Sequence, residues 1–526
     1  MRLLRSAAQR KIGRQDAPVR PNTQGLSMNK ITLAIAIPLA IVGASVAGAW
    51  YTGTLVEQQL HAAISQANAS LAQEAPHLKG QMQLVEFEQG VFSSRARYTL
   101  SFSVDADAAP LTLAFSDNLE HGPFPPSRLA AGKLAPVMAQ SHFSLEQNEL
   151  TAPLFEAASG KSPLTGEVAL NYDQSQSGRI DLAALQHTHA AGTLRTSPAS
   201  MDFSGSSDRK HISASGQLAE MDFNFAESDS GGPVSVQLRD LSLQADKQEN
   251  ANGFALGPSS ATIKRVTIQS SSDQQIELQD AVIEEALTQN GSSLDQTVAY
   301  RVGQVRVQEQ SVGGVKLAVS ARHLDEVAFK ALKDAYNQLL LSSLEGQEAG
   351  SDTEEEFKGI ALALLEGAPV LALDEFSLNT ANGEGKAALS FSLRKPAEDA
   401  SSPQEMAQSA LATLQADIKL DKAVISDLAT VQGTLEGAAS GDVDSQAIAQ
   451  QAQMMTEMFS GMALASQWVV EDGNALRGSL AYADDKVTFN GKVMSVPEFM
   501  AFAMGSAPGM SGLEGDDSEL EQYGLE

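Results

Sequence analysis

Past residue 76 the apolar residues recur at every second position. Leu100, Phe102 and Val104 alternate with polar neighbours, as do Leu111, Leu113 and Phe115. The same period returns at Met221, Phe223 and Phe225, at Val234, Val236 and Leu238, and at Leu241 and Leu243. It continues through Ile276 and Leu278, Val305 and Val307, then Val315, Leu317 and Val319. Such alternation predicts strands with one apolar and one polar face. Turn-rich stretches separate them, for example SDSGG at 228–232 and SSSD at 270–273, so the pattern predicts an antiparallel meander. Helical spacing replaces it in four places. Val327, Ala328, Ala331, Leu332, Ala335 and Leu339 share one face of a helix over 324–344. A second helix is predicted over 354–365, with Glu354, Glu355 and Glu356 where the dipole favours acids. A third covers about 404–413, leading into a strand-like LQADIKLDKAVI. The fourth spans 445–464 and carries Met454, Met455, Met458 and Met462, which read either as core or as a pliable binding surface. Strands are expected at 370–378, 387–393, 476–480 and 487–489, the last before an Asn490-Gly491 hairpin turn.

The N-terminal pattern is different. Residues 31–56 carry no charge and are long enough to span a bilayer. Arg2, Arg5, Arg10, Lys11, Arg14, Arg20 and Lys30 precede this run against Asp16 alone, and the acidic excess lies entirely behind it. That bias predicts a cytoplasmic N-terminus. Trp50 and Tyr51 stand at the far end, where amphipathic rings favour the membrane interface. A retained anchor is the favoured reading; a cleaved signal, with Ala47-Gly48-Ala49 as its site, is the alternative. Met28-Asn29-Lys30 also reads as a natural start, against Met1. The polar helical stretch 54–73 reads as a membrane-proximal stalk ended by Pro76.

The expected fold class is therefore mainly β with several helices (α+β): an N-terminal transmembrane helix, then an elongated antiparallel β-sheet body in the periplasm. The divisions are a basic cytoplasmic tail (1–30), the anchor (31–53), a stalk helix (54–75), an antiparallel β region (76–322), helices plus strands (323–395), a C-terminal α+β region (396–505) and an acidic tail (506–526) expected to be disordered. The expected location is a bacterial inner membrane, single-pass, with the bulk of the chain periplasmic.

Composition narrows the function. The chain has no cysteine, which removes disulfides, zinc–thiolate sites, thiol catalysis and a lipoprotein anchor. Its net charge of -29 argues against nucleic acid as a partner. His187 and His189 share a strand face, but a metal site needs a third ligand, and none is evident. No phosphate-binding loop, dinucleotide fingerprint or nucleophile elbow occurs, so no enzyme, cofactor or metal is expected. The most distinctive short run is His121-Gly122-Pro123-Phe124-Pro125, followed by Pro126. It reads as a rigid turn, or as a ligand-contacting corner near Asp117 and Glu120.

Together with the Met28 start, the anchor running into Gly48-Ala49-Trp50-Tyr51-Thr52-Gly53, the stretch Gly90-Val91-Phe92-Ser93-Ser94-Arg95-Ala96 and the closing Val487-Thr488-Phe489-Asn490-Gly491-Lys492, that run resembles the YdgA-like family. The resemblance covers residues 28–495. It implies an inner-membrane anchor, a periplasmic body and no assigned activity, and it brings no catalytic residues. Two functions stay open. One is lipid binding or transport in the envelope, by analogy with the architecture of AsmA-like proteins. The other is an envelope scaffold or assembly factor acting as a homo-oligomer through the stalk and the Met-rich helix.

Overall fold

The computed structural model describes residues 55–74, 78–103, 110–226, 232–270, 274–344, 351–397, 403–440 and 444–505. The anchor with Trp50 and Tyr51, and the acidic tail, lie outside these residues. Among the described residues no helix is long and apolar enough to cross a membrane.

The chain is mainly β, built on one antiparallel sheet. A helix α1 (Leu55–Glu74) precedes five strands: β1 (Gln81–Glu88), β2 (Ser93–Phe102), β3 (Leu111–His121), β4 (Ala139–Leu145) and β5 (Leu164–Leu170). Short helices α2 (Pro126–Ala130) and α3 (Ala152–Ala157) flank β4. Next come β6 (Gln176–Leu182), β7 (Gln186–His189), β8 (Gly192–Thr196) and β9 (Ala199–Gly205). They form one long hairpin with a break, since β6 pairs with β9 and β7 with β8. Pro198 marks the break, because proline has no N–H to give a ladder.

Six long strands follow: β10 (His211–Phe225), β11 (Val234–Glu249), β12 (Ala255–Ser270), β13 (Gln275–Asn290), β14 (Ser293–Val307) and β15 (Gln310–Asp325). At 15 or 16 residues each, they run roughly 50 Å. Helices α4 (Glu326–Leu344) and α5 (Ser351–Glu366) lead to β16 (Val370–Asn379) and β17 (Glu384–Leu393). The chain continues through α6 (Pro403–Ala410), β18 (Leu411–Asp421), α7 (Lys422–Ser440) and α8 (Ser445–Ala465). It closes with β19 (Val470–Asp472), β20 (Ala475–Ala483), β21 (Lys486–Phe489), β22 (Lys492–Ser495) and α9 (Val496–Gly505). Asn490 and Gly491 both take positive φ, as a two-residue hairpin requires.

The densest core lies at the N-terminal end. β2 alternates strictly, burying Ala96, Tyr98 and Leu100. Leu60, Ile64 and Leu71 of α1 close over them, with Phe115, Leu119, Phe143 and Val168. The polar helix read as a stalk is thus packed onto the sheet. Smaller clusters lie at one end of the long strands, around Phe254, Leu294 and Leu324, and around Trp468, Phe489, Phe499 and Phe502. On α4, Ala328 and Ala335 are buried, whereas Val327, expected on the same face, is exposed. The strand-like LQADIKLDKAVI stops being a strand at Asp421, and its last four residues open α7. Gly433 there lets α7 approach Ile448 of α8.

Five of the six long strands share a break in the ladder, and the breaks line up. The ladder skips the row Ala219, Asp240, Lys264, Asp280 and Gly303, one residue on each of β10–β14. Asp240 and Asp280 have φ of 52° and 51°, a left-handed geometry that Asp tolerates better than most residues. Before the row the apolar set is Met221, Leu238, Val266, Leu278 and Val305; after it, Leu218, Leu241, Ile263, Ala281 and Val302. Strict alternation would put Leu238 and Leu241 on opposite faces. The left-handed residue between them resets the phase.

Candidate functional site

Two features stand out. One is the corner where the two most distinctive sequence runs meet, and the other is the face of the long strands.

At the corner, the β1–β2 tip (Gln89–Phe92) and the loop leaving β3 are fastened by His121. Its backbone N–H donates to Phe92 O at 2.8 Å. Its ring Nδ1 lies 3.2 Å from Val91 O, which can only accept, so Nδ1 carries the proton. Nε2 then accepts from Ser94 Oγ at 3.1 Å. Both ring nitrogens are used in holding the two loops. Gly122 N donates to Met138 O at 2.7 Å and Val137 N to Pro123 O at 3.0 Å, fixing the loop to the start of β4. The Gly122–Pro123 peptide is cis. Pro125 is buried and Phe124 is exposed. Asp117 and Glu120, near His121 in sequence, are engaged elsewhere. Glu120 accepts from Ser127 Oγ at 2.6 Å, and His142 Nε2 lies 2.9 Å from the same hydroxyl.

Asp117 turns into the core. It accepts from the Tyr98 hydroxyl and, at 2.8 Å, from Ser141 Oγ. Burial pushes its carboxyl up to about 6, although hydrogen bonds from Tyr98, Ser141 and the His142 backbone hold it down in part. The Tyr98 phenol is raised well above its usual value, first by burial and then by the adjacent carboxylate. Sequence reading missed this group, although a signal exists: Asp117 stands in phase with Phe115 and Leu119 on the apolar side of β3.

The long strands present a second surface. Directly paired residues share a face, so the register traces continuous rows. One runs Gly216, Leu243, Ala261, Ile283, Tyr300, Leu317, Phe376, Ala387 and Ile418 across nine strands. A flanking row runs Leu218, Leu241, Ile263, Ala281, Val302, Val315 and Leu378. Tyr300 keeps 42% of its surface, Phe376 44% and Ile418 51%. Among the described residues, α4, α5 and α7 contact β15, α7 also β17 and β18, and α6 β18, while none of the helices makes a contact of that extent with β10–β14. Beside these rows a groove of about 700 Å³ crosses β10–β16, within the range of ligand pockets. Ala214, Ala245, Ala286, Val298 and Val319 line it, with Asp246, Glu284, Glu285 and Asp374 among them.

His187 and His189 are exposed on β7, and the described residues contain no group of three metal-ligand side chains. Three of the four methionines of α8, Met454, Met458 and Met462, are exposed, beside exposed Phe459, while Met455 is half-buried.

Residues 28–497 match the family described as "Bacterial protein of unknown function (DUF945)". The chain is 26% identical over 492 residues to "Protein YdgA" of Escherichia coli (strain K12), covering 91% of this chain and 97% of that protein. It is 24% identical over 492 residues to "Uncharacterized protein YihF" of the same strain, covering 90% and 99%. No solved structure matches it.

Proposed function

The chain belongs to the DUF945 family of bacterial proteins of unknown function, and we propose that its open sheet holds the hydrocarbon of a membrane lipid. In this reading the chain is tethered to the inner membrane by residues 31–53, its body is periplasmic, and it binds rather than catalyses. The observation that carries it is the apolar row through Ile283, Tyr300, Leu317 and Phe376, in which Ile283, Tyr300 and Phe376 are exposed and Leu317 is half-buried. Soluble proteins rarely leave contiguous apolar patches beyond a few hundred Å² without a partner. An acyl chain laid along the row gains about 0.8 kcal/mol per buried CH₂, and binding needs no polar chemistry. The aligned phase break extends the apolar positions over the whole strand length, which suits a chain-like ligand.

The test is photo-crosslinking in intact cells. A benzoylphenylalanine at Tyr300 is expected to capture phospholipid. The same probe at Arg301, the next residue and hence on the other face, is expected to capture none. Equal labelling at both positions, or protein adducts alone at 300, would refute lipid binding on this face.

The scaffold reading draws on a different observation, the exposed Met454, Met458, Phe459 and Met462 stripe of α8. Methionine surfaces repack around varied partners. A probe at Met458 is then expected to yield a crosslinked second copy. Only uncrosslinked monomer would count against it.

A further inference from the structure

We infer that the loop edge carrying Val91, Phe92 and Phe124 lies against the bilayer, with these side chains in the headgroup region beside the anchor. Val91 keeps 85% of its surface, Phe92 82% and Phe124 52%. Leu129 and Leu134, also exposed, belong to the same edge, in the segment between β3 and β4. The backbone beneath these side chains is fastened. His121 holds the carbonyls of Val91 and Phe92, and Gly122 and Pro123 are bonded to the start of β4. The corner is thus a stiff mount for apolar tips that have no apolar cover within the described chain. Residues 89–94 carry no charge, nor do residues 122–127.

The course of α1 says what covers them. Leu71 lies against Gly80, and Asn68 brackets the backbone of Met82 with bonds of 2.9 and 2.7 Å. Residue numbers fall along the helix as they rise along the strand, so α1 runs antiparallel to β1. From Asn68 back to Leu55 is about 20 Å of helix at 1.5 Å per residue. The same distance is about six residues of strand. The start of α1 is therefore level with Glu88, the last residue of β1, next to the Val91–Phe92 tip. Thr54 alone separates α1 from the segment read as the anchor. Where residues 31–53 enter a membrane, its surface is within reach of this edge. Aromatic and branched side chains on an uncharged loop are suited to that interface.

This inference rests on the anchor reading, and the experiment separates the two. The chain has no cysteine, so single substitutions give unique labelling sites. Phe92→Cys, Phe124→Cys, Leu154→Cys and Ala40→Cys would each carry a nitroxide on the full chain, reconstituted in phosphatidylethanolamine–phosphatidylglycerol vesicles. Leu154 is exposed on α3, at the opposite edge of the same strands. Collision with oxygen against a water-soluble nickel chelate reads depth. The expected result is a hydrocarbon depth at 40, headgroup depth at 92 and 124, and water at 154. Labels at 92 and 124 as nickel-accessible as the one at 154, with 40 in hydrocarbon, would overturn the inference and leave the anchor standing. Labels at 92 and 124 shielded from both reagents would mean cover by protein, which also overturns it. A label at 40 in water would remove the anchor and this inference with it.

Discussion

Gly122→Ala is expected to destabilise the β2–β4 corner by about 4 kcal/mol, the sum of overpacking and two lost backbone bonds. A Cβ at this position would stand 1.9 Å from Val137 O and 2.7 Å from Met138 O. Neither neighbour is a flexible side-chain end. Relief requires moving the start of β4, which breaks the Gly122–Met138 and Val137–Pro123 hydrogen bonds. Gly132 is the control. It has a positive φ of 71° but nothing near its missing Cβ, so Gly132→Ala should cost only about 1–2 kcal/mol in left-handed strain. Hydrogen–deuterium exchange of β3–β4 peptides reads the local opening free energy of both variants. If the two glycines gave the same loss, close approach would not be what position 122 requires.

This corner shows where sequence reading stops. The run at 121–125 stands out in the chain, and the contact of His121 with the β1–β2 tip does not. A contact across some thirty residues depends on register, which alternation alone leaves free. The alternating segments themselves predict strands, and the sheet contains them, save Val104, which lies outside the described residues. The alternating set Met221, Phe223 and Phe225 marks only the end of β10, because the apolar phase shifts near Ala219 and hides the stretch from His211. The backbone instead runs straight through, with Asp240 and Asp280 absorbing the shift in neighbouring strands. The signal was present as two charged residues flanked by out-of-phase apolar pairs. The helix α7 was hidden for another reason. Its contact face is built from small residues, with Val424, Ala429 and Gly433 buried, so little hydrophobic contrast marks it. The Met-rich helix was legible as a helix, but its environment was not. Periodicity reports that a face is apolar, while only tertiary structure reports whether anything lies on it. The same limit applies to the open sheet face.

Asp117 should make the N-terminal core less stable as pH rises. Its carboxyl is raised from 3.8 to about 6, so between these values the folded protein binds a proton that the unfolded chain has released. Stability is then highest below pH 4, falls through the window to pH 6 and is level above it. The full span is about 3 kcal/mol. Asp117→Asn removes the ionisation and keeps polar atoms beside Tyr98 and Ser141. The variant is expected to lose that slope and to be the more stable form at pH 7, by up to about 3 kcal/mol. Exchange protection of β2–β4 peptides at pH 4 and pH 7, corrected for intrinsic exchange rates, checks both statements. An unchanged difference between the two pH values in the Asn variant would assign the slope to another group. Asp117→Leu should behave oppositely, leaving the Tyr98 and Ser141 hydroxyls without their acceptor at about 1–3 kcal/mol each. A carboxylate that costs stability in the core has a structural use here. Tyr98 stands on β2, Asp117 on β3 and Ser141 on β4, so one side chain ties three strands. A slip of one residue would turn Asp117 outward and leave both hydroxyls unpaired. The same slip would separate His121 from Val91 and Phe92. The buried acid thus holds the register on which the exposed corner depends.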